Sequence, residues 1–270
     1  MYPVGKVCKI LKIAHSTYYY QRRHGGRREV IKAEESRAVI DKFIEHHGSF
    51  GRRVLKRELS KDGIVISERK IARILKENGY RSKYGRKKCK NVHTAECTEK
   101  YIQANLFAKL TPQERQEKEI WSMDFTEQKI HGKKIYTCGI ISVNRKILVG
   151  YAQSTVCRTP LAIEAIENAI RSYGRPDMIM TDRGTQFTSR DFYDMMQREE
   201  IQHSMSRPHT PIDNRFIETF WKSMKVEIGK TDQLTVETYR MVVEYYVYYY
   251  NNLRPHSALN YRTPLQSLAA

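Results

Sequence analysis

The sequence lacks the features expected of a membrane or secreted protein. Its 270 residues contain no apolar run approaching the roughly 18 residues needed to cross a bilayer. The first six residues are polar and soon basic, and they do not resemble a signal peptide. The five cysteines are odd in number, and no two of them have the two-residue spacing common in zinc sites. We therefore expect a protein of a reducing cytosol, with no membrane partner.

One cysteine pattern leaves a zinc site open as an alternative. Cys89, His93 and Cys97 follow one another with three intervening residues each time. No fourth ligand is evident, and the surrounding segment is highly basic and resembles a linker. We favour the linker.

Basic residues greatly outnumber acidic residues in the first part of the chain. Residues 1–118 carry 29 Lys and Arg against 13 Asp and Glu, a net charge of +16, whereas residues 119–270 carry only +2 of the total +18. A charge needed only for solubility would not segregate in this way. The first part is predicted to bind a polyanion, with DNA phosphate favoured over a membrane surface, and the chain length predicts two domains.

The basic part of the sequence is predicted to be helical. Residues 4–24 indicate a helix, a turn and a second short helix, and three further helices are expected near residues 29–47, 52–61 and 68–78. This pattern favours a helix-turn-helix over a plain three-helix bundle with solvated charges. Six of the ten residues in 81–90 are basic, as expected of an arm that follows DNA or enters a minor groove. The candidate DNA contacts here are Arg69, Lys70, Arg73, Lys76, Arg86, Lys87 and Lys88.

The pattern changes to strands at Ile120. Three strands joined by turns are followed by alternating helices and strands, which predicts an α/β fold with a mixed sheet and helices on both faces. Near the end, residues 245–250 are rich in tyrosine, for which we favour core packing over a stacking platform for nucleic-acid bases. The following loop, residues 254–256, is expected either to contact a phosphate or to turn the chain.

Three acidic residues suggest the chemistry. Asp124 interrupts an apolar strand, Asp182 ends another strand at a turn, and Glu218 lies in a segment with helical periodicity. Each alone has an ordinary explanation: a strand residue facing water, a turn residue or a solvated helix charge. Together they would repel one another unless a hard cation with oxygen ligands lay between them. Their combination is typical of a two-metal site for phosphoryl transfer.

The segment around Glu218 places other polar groups on the same helical face. Asn214, Lys222 and Lys225 lie at helical spacing from Glu218 and are candidate DNA contacts, although an ordinary Glu–Lys pair is the alternative. His203 and His209 lie nearby in sequence as possible general bases. Activation of the nucleophile by metal would remove the need for such a base.

The order and spacing of these residues resemble a known family. Asp182 and Glu218 are separated by 35 residues, and characteristic segments recur at 121–126, 181–189, 204–207, 213–218 and 250–259. The chain resembles the DDE transposases of bacterial insertion sequences, the integrase-type catalytic proteins related to retroviral integrases. The resemblance covers nearly the whole chain. It departs from the pattern at residues 211–215, where many relatives have an aromatic residue before the Asp-Asn pair and Ala after it.

The resemblance implies a ribonuclease-H-like core preceded by a small all-α helix-turn-helix domain. The expected boundaries are a helical segment at 1–26, the helix-turn-helix with its basic arm at 28–90, a linker at 91–114 and the catalytic core at 115–270. Asp124, Asp182 and Glu218 would be both catalytic residues and ligands of two Mg²⁺ ions, with Mn²⁺ as a substitute.

The resemblance also implies partners and a location. The expected partner is double-stranded DNA, as terminal inverted repeats and as target, bound by a homo-oligomer in the bacterial cytoplasm at the nucleoid. The product of an upstream reading frame is a further possible partner, because the chain has no heptad run long enough to form a coiled coil. A hydrolytic nuclease of the same fold and a DNA-binding regulator without catalysis are the alternatives to a transposase.

Overall fold

The computed structural model describes residues 4–10, 12–83, 101–207, 210 and 214–268. The chain divides into two compact units, residues 1–85 and 86–270. Among the described residues, no helix combines the length and the apolar character needed to cross a membrane. The finer division into four segments remains a prediction. Cys89, His93, Cys97 and His209 lie outside the described residues, as do Arg86, Lys87 and Lys88.

The N-terminal unit is helical and has its own core. Its elements are α1 (Val4–Ile10), α2 (His15–Glu45), α3 (Arg52–Lys61) and α4 (Glu68–Glu77). The Ser67 hydroxyl caps α4 by accepting a hydrogen bond from the Lys70 N–H at 3.3 Å. Apolar side chains from α2, α3 and α4 are buried together in one cluster. The fully buried members of this cluster are Val39, Leu55 and Ile71, and Phe43, Leu59 and Ile74 are nearly so.

Helix α2 differs from the sequence prediction. We expected one helix to end near residue 24 and another to begin near residue 29, but α2 is continuous from His15 to Glu45. Gly25 and Gly26 lie between the two predicted helices, and each Gly costs about 1 kcal/mol relative to Ala in a helix. No proline interrupts the segment, and the long flanking helical stretches outweigh that cost.

The second unit contains five strands and five helices among its described residues. A 3-10 turn at Phe107–Lys109 and a short helix, α5 (Pro112–Glu117), precede the sheet. The predicted linker is therefore partly folded, and Leu106, Phe107 and Leu110 pack against the sheet. The remaining elements are β1 (Ile120–Ile130), β2 (Lys133–Ser142), β3 (Leu148–Ser154), α6 (Thr159–Tyr173), β4 (Met178–Thr181), α7 (Arg190–Arg198), β5 (Gln202–Met205), α8 (Arg215–Ile228) and α9 (Val236–Asn252).

The sheet is mixed, as the sequence predicts. The strand order is β3-β2-β1-β4-β5, with β1 at the centre. The β1–β2 and β2–β3 pairs are antiparallel, whereas the β1–β4 and β4–β5 pairs are parallel. Parallel neighbours need a crossover connection, and helices provide it here. This is the ribonuclease-H-like arrangement that we expected.

Helices cover both faces of the sheet, and two glycines allow them to approach closely. Gly150 lies under α6, where an added Cβ would be 2.6 Å from the Ala169 Cβ. Gly139 lies under α8 on the other face, where an added Cβ would be 2.6 Å from Cη2 of Trp221. Any larger residue at either position would push the helix away from the sheet.

Each edge of the sheet is covered at one place by groups from outside the sheet. At β3, the Asn251 amide of α9 mimics a neighbouring strand, since it accepts from the Leu148 N–H at 2.9 Å and donates to the Leu148 carbonyl at 3.0 Å. At β5, the Met205 N–H donates to the Ala104 carbonyl at 3.3 Å, and the Ser204 hydroxyl accepts from the Phe107 N–H at 3.0 Å. Side chains and an irregular segment thus take the place of further strands.

The tyrosine-rich helix α9 packs into the core on the α8 face. Tyr246, Tyr249 and Tyr250 are buried with α8, which supports core packing over a stacking platform. Arg254 turns back to α8 and donates to Oε1 of the fully buried Glu227 through Nε at 3.0 Å. The loop after α9 therefore neutralises a buried carboxylate, and Arg254 is a structural residue.

Candidate active site

Asp124 lies in the central strand on the face covered by α8. Directly opposite it on β2 is Gly139, the residue over which Trp221 of α8 packs. Cross-strand partners share a face of the sheet, so the missing side chain at Gly139 leaves room for α8 beside the carboxylate. The sequence indicated that Asp124 is a strand residue, but the role of Gly139 is evident only in the pairing.

Asp182 lies beside Asp124 because of the parallel pairing between β1 and β4. The described pairs end at Ser122 and Met180, and each aspartate is two residues further along its strand. The Gly184 N–H donates to Oδ1 of Asp182 at 2.9 Å and fixes the carboxylate at the start of the turn. An added Cβ at Gly184 would lie 3.0 Å from the same oxygen and 2.9 Å from Oε1 of Gln186, so a larger residue here would displace both side chains.

Helix α8 carries Glu218 and is fixed to β1 at its first turn. Asn214, immediately before the helix, accepts from the Ser122 hydroxyl at 2.6 Å and donates to the Met123 carbonyl at 3.2 Å. Its side chain is buried and both amide groups are used. Asn214 was predicted to contact DNA. The structure gives it a different role, because it joins α8 to the strand that carries Asp124.

The three carboxylates interact electrostatically. Burial, and then the negative charges of Asp182 and Glu218, raise the pKa of Asp124 to about 8, although a hydrogen bond from the Phe125 backbone and the charge of Lys225 oppose the rise. Burial also raises the pKa of Asp182, with the Gly184 N–H opposing it, and burial and Asp182 raise that of Glu218. At neutral pH, Asp124 would thus hold a proton unless a cation replaced it.

The carboxylates do not form a ready-made metal cage. Within the described ranges, no three His, Cys, Asp or Glu side chains approach closely enough to hold an ion between them. All three groups offer only oxygen, which is the ligand type that Mg²⁺ prefers. Their chemistry and their effect on the pKa of Asp124 therefore fit a divalent cation.

Two predicted lysines lie on α8 beyond Glu218. Both are exposed. Lys225 is exposed as a residue, but partial desolvation of its ammonium lowers its pKa, whereas the charges of Asp124 and Glu127 raise it, so the ammonium lies within electrostatic reach of Asp124. Lys222 does not contribute to the shifted pKa of Glu218, which argues against an ordinary Glu–Lys pair.

The predicted DNA contacts on α4 differ in their exposure and in their ion pairs. Arg69 and Lys76 are exposed, and Arg73 is exposed with Nε 4.0 Å from Glu77. Lys70 instead forms an ion pair with Glu35 of α2. Lys70 thus helps to hold α4 against α2, and it is less available to DNA than the sequence suggested.

Other polar groups near the site have structural roles. His203 is buried with Nε2 2.9 Å from the Thr181 hydroxyl, and burial lowers its pKa to about 4. It therefore stays neutral beside β4, which argues against a general base. Cys157, which the sequence analysis left without a role, accepts from the Gln186 amide at 3.1 Å and joins the turn after Asp182 to the loop before α6.

Comparison with known proteins decides the family. Two models described as integrase core domains match residues 114–211 and 199–264, and an HTH-like domain matches residues 31–88. The transposase for insertion sequence element IS904 of Lactococcus lactis is 26% identical over 88% of this chain and 92% of its own length. The InsF transposase for IS3A of Escherichia coli is 25% identical over 95% of this chain and 90% of its own. The chain therefore contains an integrase core and an HTH-like domain, and its homologues are transposases of insertion sequences.

A solved structure resembles part of this chain. The catalytic core domain of HTLV-2 integrase, determined in complex with magnesium, aligns with a TM-score of 0.45 and 18% sequence identity. The alignment covers 55% of this chain and 95% of the integrase domain. The family matches and the observed sheet order confirm the predicted fold class and the predicted family.

Proposed function

We propose that this transposase nicks the ends of its insertion sequence and joins their 3′-OH groups to DNA by metal-dependent phosphoryl transfer. DNA transposition by integrase-type chemistry follows from the family. The observation that carries the assignment to particular residues is the electrostatic coupling of three carboxylates from β1, the end of β4 and α8. Asp124, Asp182 and Glu218 are accordingly the proposed catalytic residues.

The same three residues would hold two Mg²⁺ ions, for which Mn²⁺ could substitute. Bound divalent cations would activate water or a DNA 3′-OH as nucleophile and stabilise charge on the leaving oxygen. The protein's own contribution is to position these ligands. The central strand fixes Asp124, the Gly184 N–H orients Asp182, and the contact between Asn214 and Ser122 sets the position of Glu218.

The cationic groups would hold the DNA. Lys225, close to Asp124, and Lys222 are proposed to contact phosphates beside the reacting group. The N-terminal unit would supply most of the affinity through α4 and the basic arm that follows it. We further propose that double-stranded DNA, as element ends and as target, is bound by an oligomer of this chain, with the product of an upstream reading frame as a possible additional partner.

The decisive test uses purified protein, its own element ends and Mg²⁺. We expect strand-transfer products from the unaltered chain and none from Asp124→Asn, Asp182→Asn or Glu218→Gln, with DNA binding nearly unchanged because no basic residue is removed. Glu167→Gln, an exposed carboxylate change on α6, is the matched control and should remain active.

The possible outcomes separate the alternatives. Cleaved ends that are never joined would indicate a hydrolytic nuclease, and specific binding without cleavage would indicate a regulator. If one of the three variants kept near-normal strand transfer, that residue would have to be removed from the site.

A further inference from the structure

A second group of converging charges lies beside the first turn of α8, and it is positive. Arg115, Lys146 and Arg215 line a cavity of about 440 Å³ together with Phe107 and Phe216. These residues come from α5, the turn between β2 and β3, α8 and the 3-10 turn before α5. None of them is among the catalytic or DNA-binding residues assigned above. No acidic side chain lines the cavity.

The three cations lie against two phenylalanine rings. Cζ of Arg115 lies 4.5 Å from the centre of the Phe107 ring. Nζ of Lys146 and Cζ of Arg215 lie 4.7 and 5.1 Å from the centre of the Phe216 ring. The two rings are themselves in edge contact, with centroids 6.1 Å apart. Cation–π contacts of this kind orient cations without neutralising them.

The positive charges are not balanced by the described residues around them. Burial and the charge of Arg215 lower the pKa of Lys146, so its environment disfavours the ammonium form. Nε of Arg115 is buried without a hydrogen-bond partner. Nearby acids are already engaged, since Glu119 pairs with Arg145 at 3.1 Å and Glu114 accepts from the Thr111 backbone at 2.7 Å.

Arg215 also occupies an unfavourable position on its helix. It is the first residue of α8, where the helix dipole is positive and a cation is destabilising. Three cations without an acidic partner among the described residues, a helix N-terminus and a buried Arg115 Nε without a hydrogen-bond partner therefore meet at one cavity, where the only hydrogen bond shown for the Lys146 ammonium goes to the Val143 carbonyl. An anion would relieve all of these costs together.

We propose that this Arg115–Lys146–Arg215 cluster binds a phosphate group of the DNA backbone and forms a second DNA contact on the catalytic unit. The proposal rests on the proposed function and deepens it, because it extends the DNA path beyond the two lysines of α8. Arg215 precedes Glu218 by three residues, and side chains at this spacing lie about 5–6 Å apart along a helix. A strand held at Glu218 thus has a phosphate within reach of the cluster.

The test measures duplex binding by the full chain as a function of salt, without divalent cations, so that it does not depend on catalysis. The variant is Lys146→Gln/Arg215→Gln. The matched control is Arg171→Gln/Arg240→Gln, which removes the same charge from two exposed arginines at the β3 edge. If one phosphate contact is lost, the slope of log affinity against log salt should flatten by about 0.9. Affinity should fall about tenfold more than in the control.

Each further outcome bears on the proposal. If the double variant does not fold, Arg215→Gln alone removes an exposed cation from a helix N-terminus, and it should still flatten the slope. Equal slopes and affinities for variant and control would overturn the proposal. Binding of inorganic phosphate at the cluster, with duplex affinity unchanged in the variant, would also overturn the proposal, because the site would then bind a small anion. A flattened slope in a chain that gives no strand transfer would support this site while contradicting the proposed function.

Discussion

The close approach of α8 to the sheet at Gly139 gives a sharp prediction about catalysis. In Gly139→Ala, the new Cβ would lie 2.6 Å from Cη2 and 2.8 Å from Cζ2 of Trp221. Ordinary contact begins near 3.4 Å, so the helix must move by up to about 1 Å, since Trp221 is buried against Phe220 at 5.0 Å between ring centres. Overpacking of this kind costs about 1–3 kcal/mol. A shift of about 1 Å in Glu218 relative to Asp124 should slow cleavage by about 100-fold.

The matched control is Gly150→Ala on the opposite face. Its Cβ would meet Ala169 at the same distance of 2.6 Å, so it should lose similar stability but keep its cleavage rate well below its unfolding temperature. Adding Trp221→Phe to Gly139→Ala removes the clashing atoms and should restore part of the rate. Both tryptophans of the chain lie in the catalytic unit, so fluorescence during unfolding reports on that unit. An unchanged rate and an unchanged unfolding free energy in Gly139→Ala would refute the reasoning.

Three further predictions concern DNA and pH. Lys225→Ala should weaken binding of the element end by about 1.5–3 kcal/mol without changing the Mg²⁺ requirement. The control Lys230→Ala should leave that binding unchanged. Both effects are measured by cleavage at rising DNA concentration and by a titration with Mg²⁺. A fragment of residues 119–270 should bind DNA more weakly than the whole chain and with a flatter salt dependence, and equal affinity at equal salt would contradict this. Burial lowers the pKa of His203 to about 4, and burial followed by the charge of Arg254 lowers that of His256 to about 3, so the unfolded state binds more protons below pH 6.5. Each histidine should therefore destabilise the fold by up to about 3 kcal/mol as pH drops from 6.5 toward 4, whereas Asp124, whose pKa is raised to about 8, acts in the opposite direction over this range. The histidine contribution is measured in denaturant titrations as the difference between the unaltered chain and His203→Gln, which should lose less stability as the pH falls.

Local pattern was sufficient to predict most elements of the fold. Strand β4 has the predicted bounds, and α3 agrees with its prediction, because apolar periodicity and Gly turns mark their limits. The continuous α2 was missed, since two adjacent glycines resemble a break whether or not the flanking helix overrides them. The packing of the segment before β1 was also missed, because its contacts with Met178 and Met180 depend on residues far away in the sequence.

For the candidate site too, local pattern predicted the main residues but not their long-range contacts. The carboxylates were found because an acid within an apolar strand is costly and therefore informative. Asn214 was assigned to DNA because helical spacing placed it beside Glu218, but spacing cannot show that its amide is used by Ser122. Ser122 itself had a local indication, as a polar residue two positions before Asp124 and thus on the same face of β1. No local sequence pattern indicated the Arg115–Lys146–Arg215 cluster, because its members are brought together only by the fold.

The covered edges of the sheet restrict how copies of this chain can assemble. Asn251 occupies both hydrogen-bonding groups of Leu148, and the segment before α5 occupies the side of β5. At these positions the backbone groups are therefore not available to pair with a strand from a neighbouring molecule. If the proposed oligomer forms on DNA, its copies would have to contact one another at these positions through side chains of helices and loops, and such contacts can be specific and reversible. The same arrangement protects the chain from open-ended sheet growth, the main hazard of crowding many identical β-rich cores together.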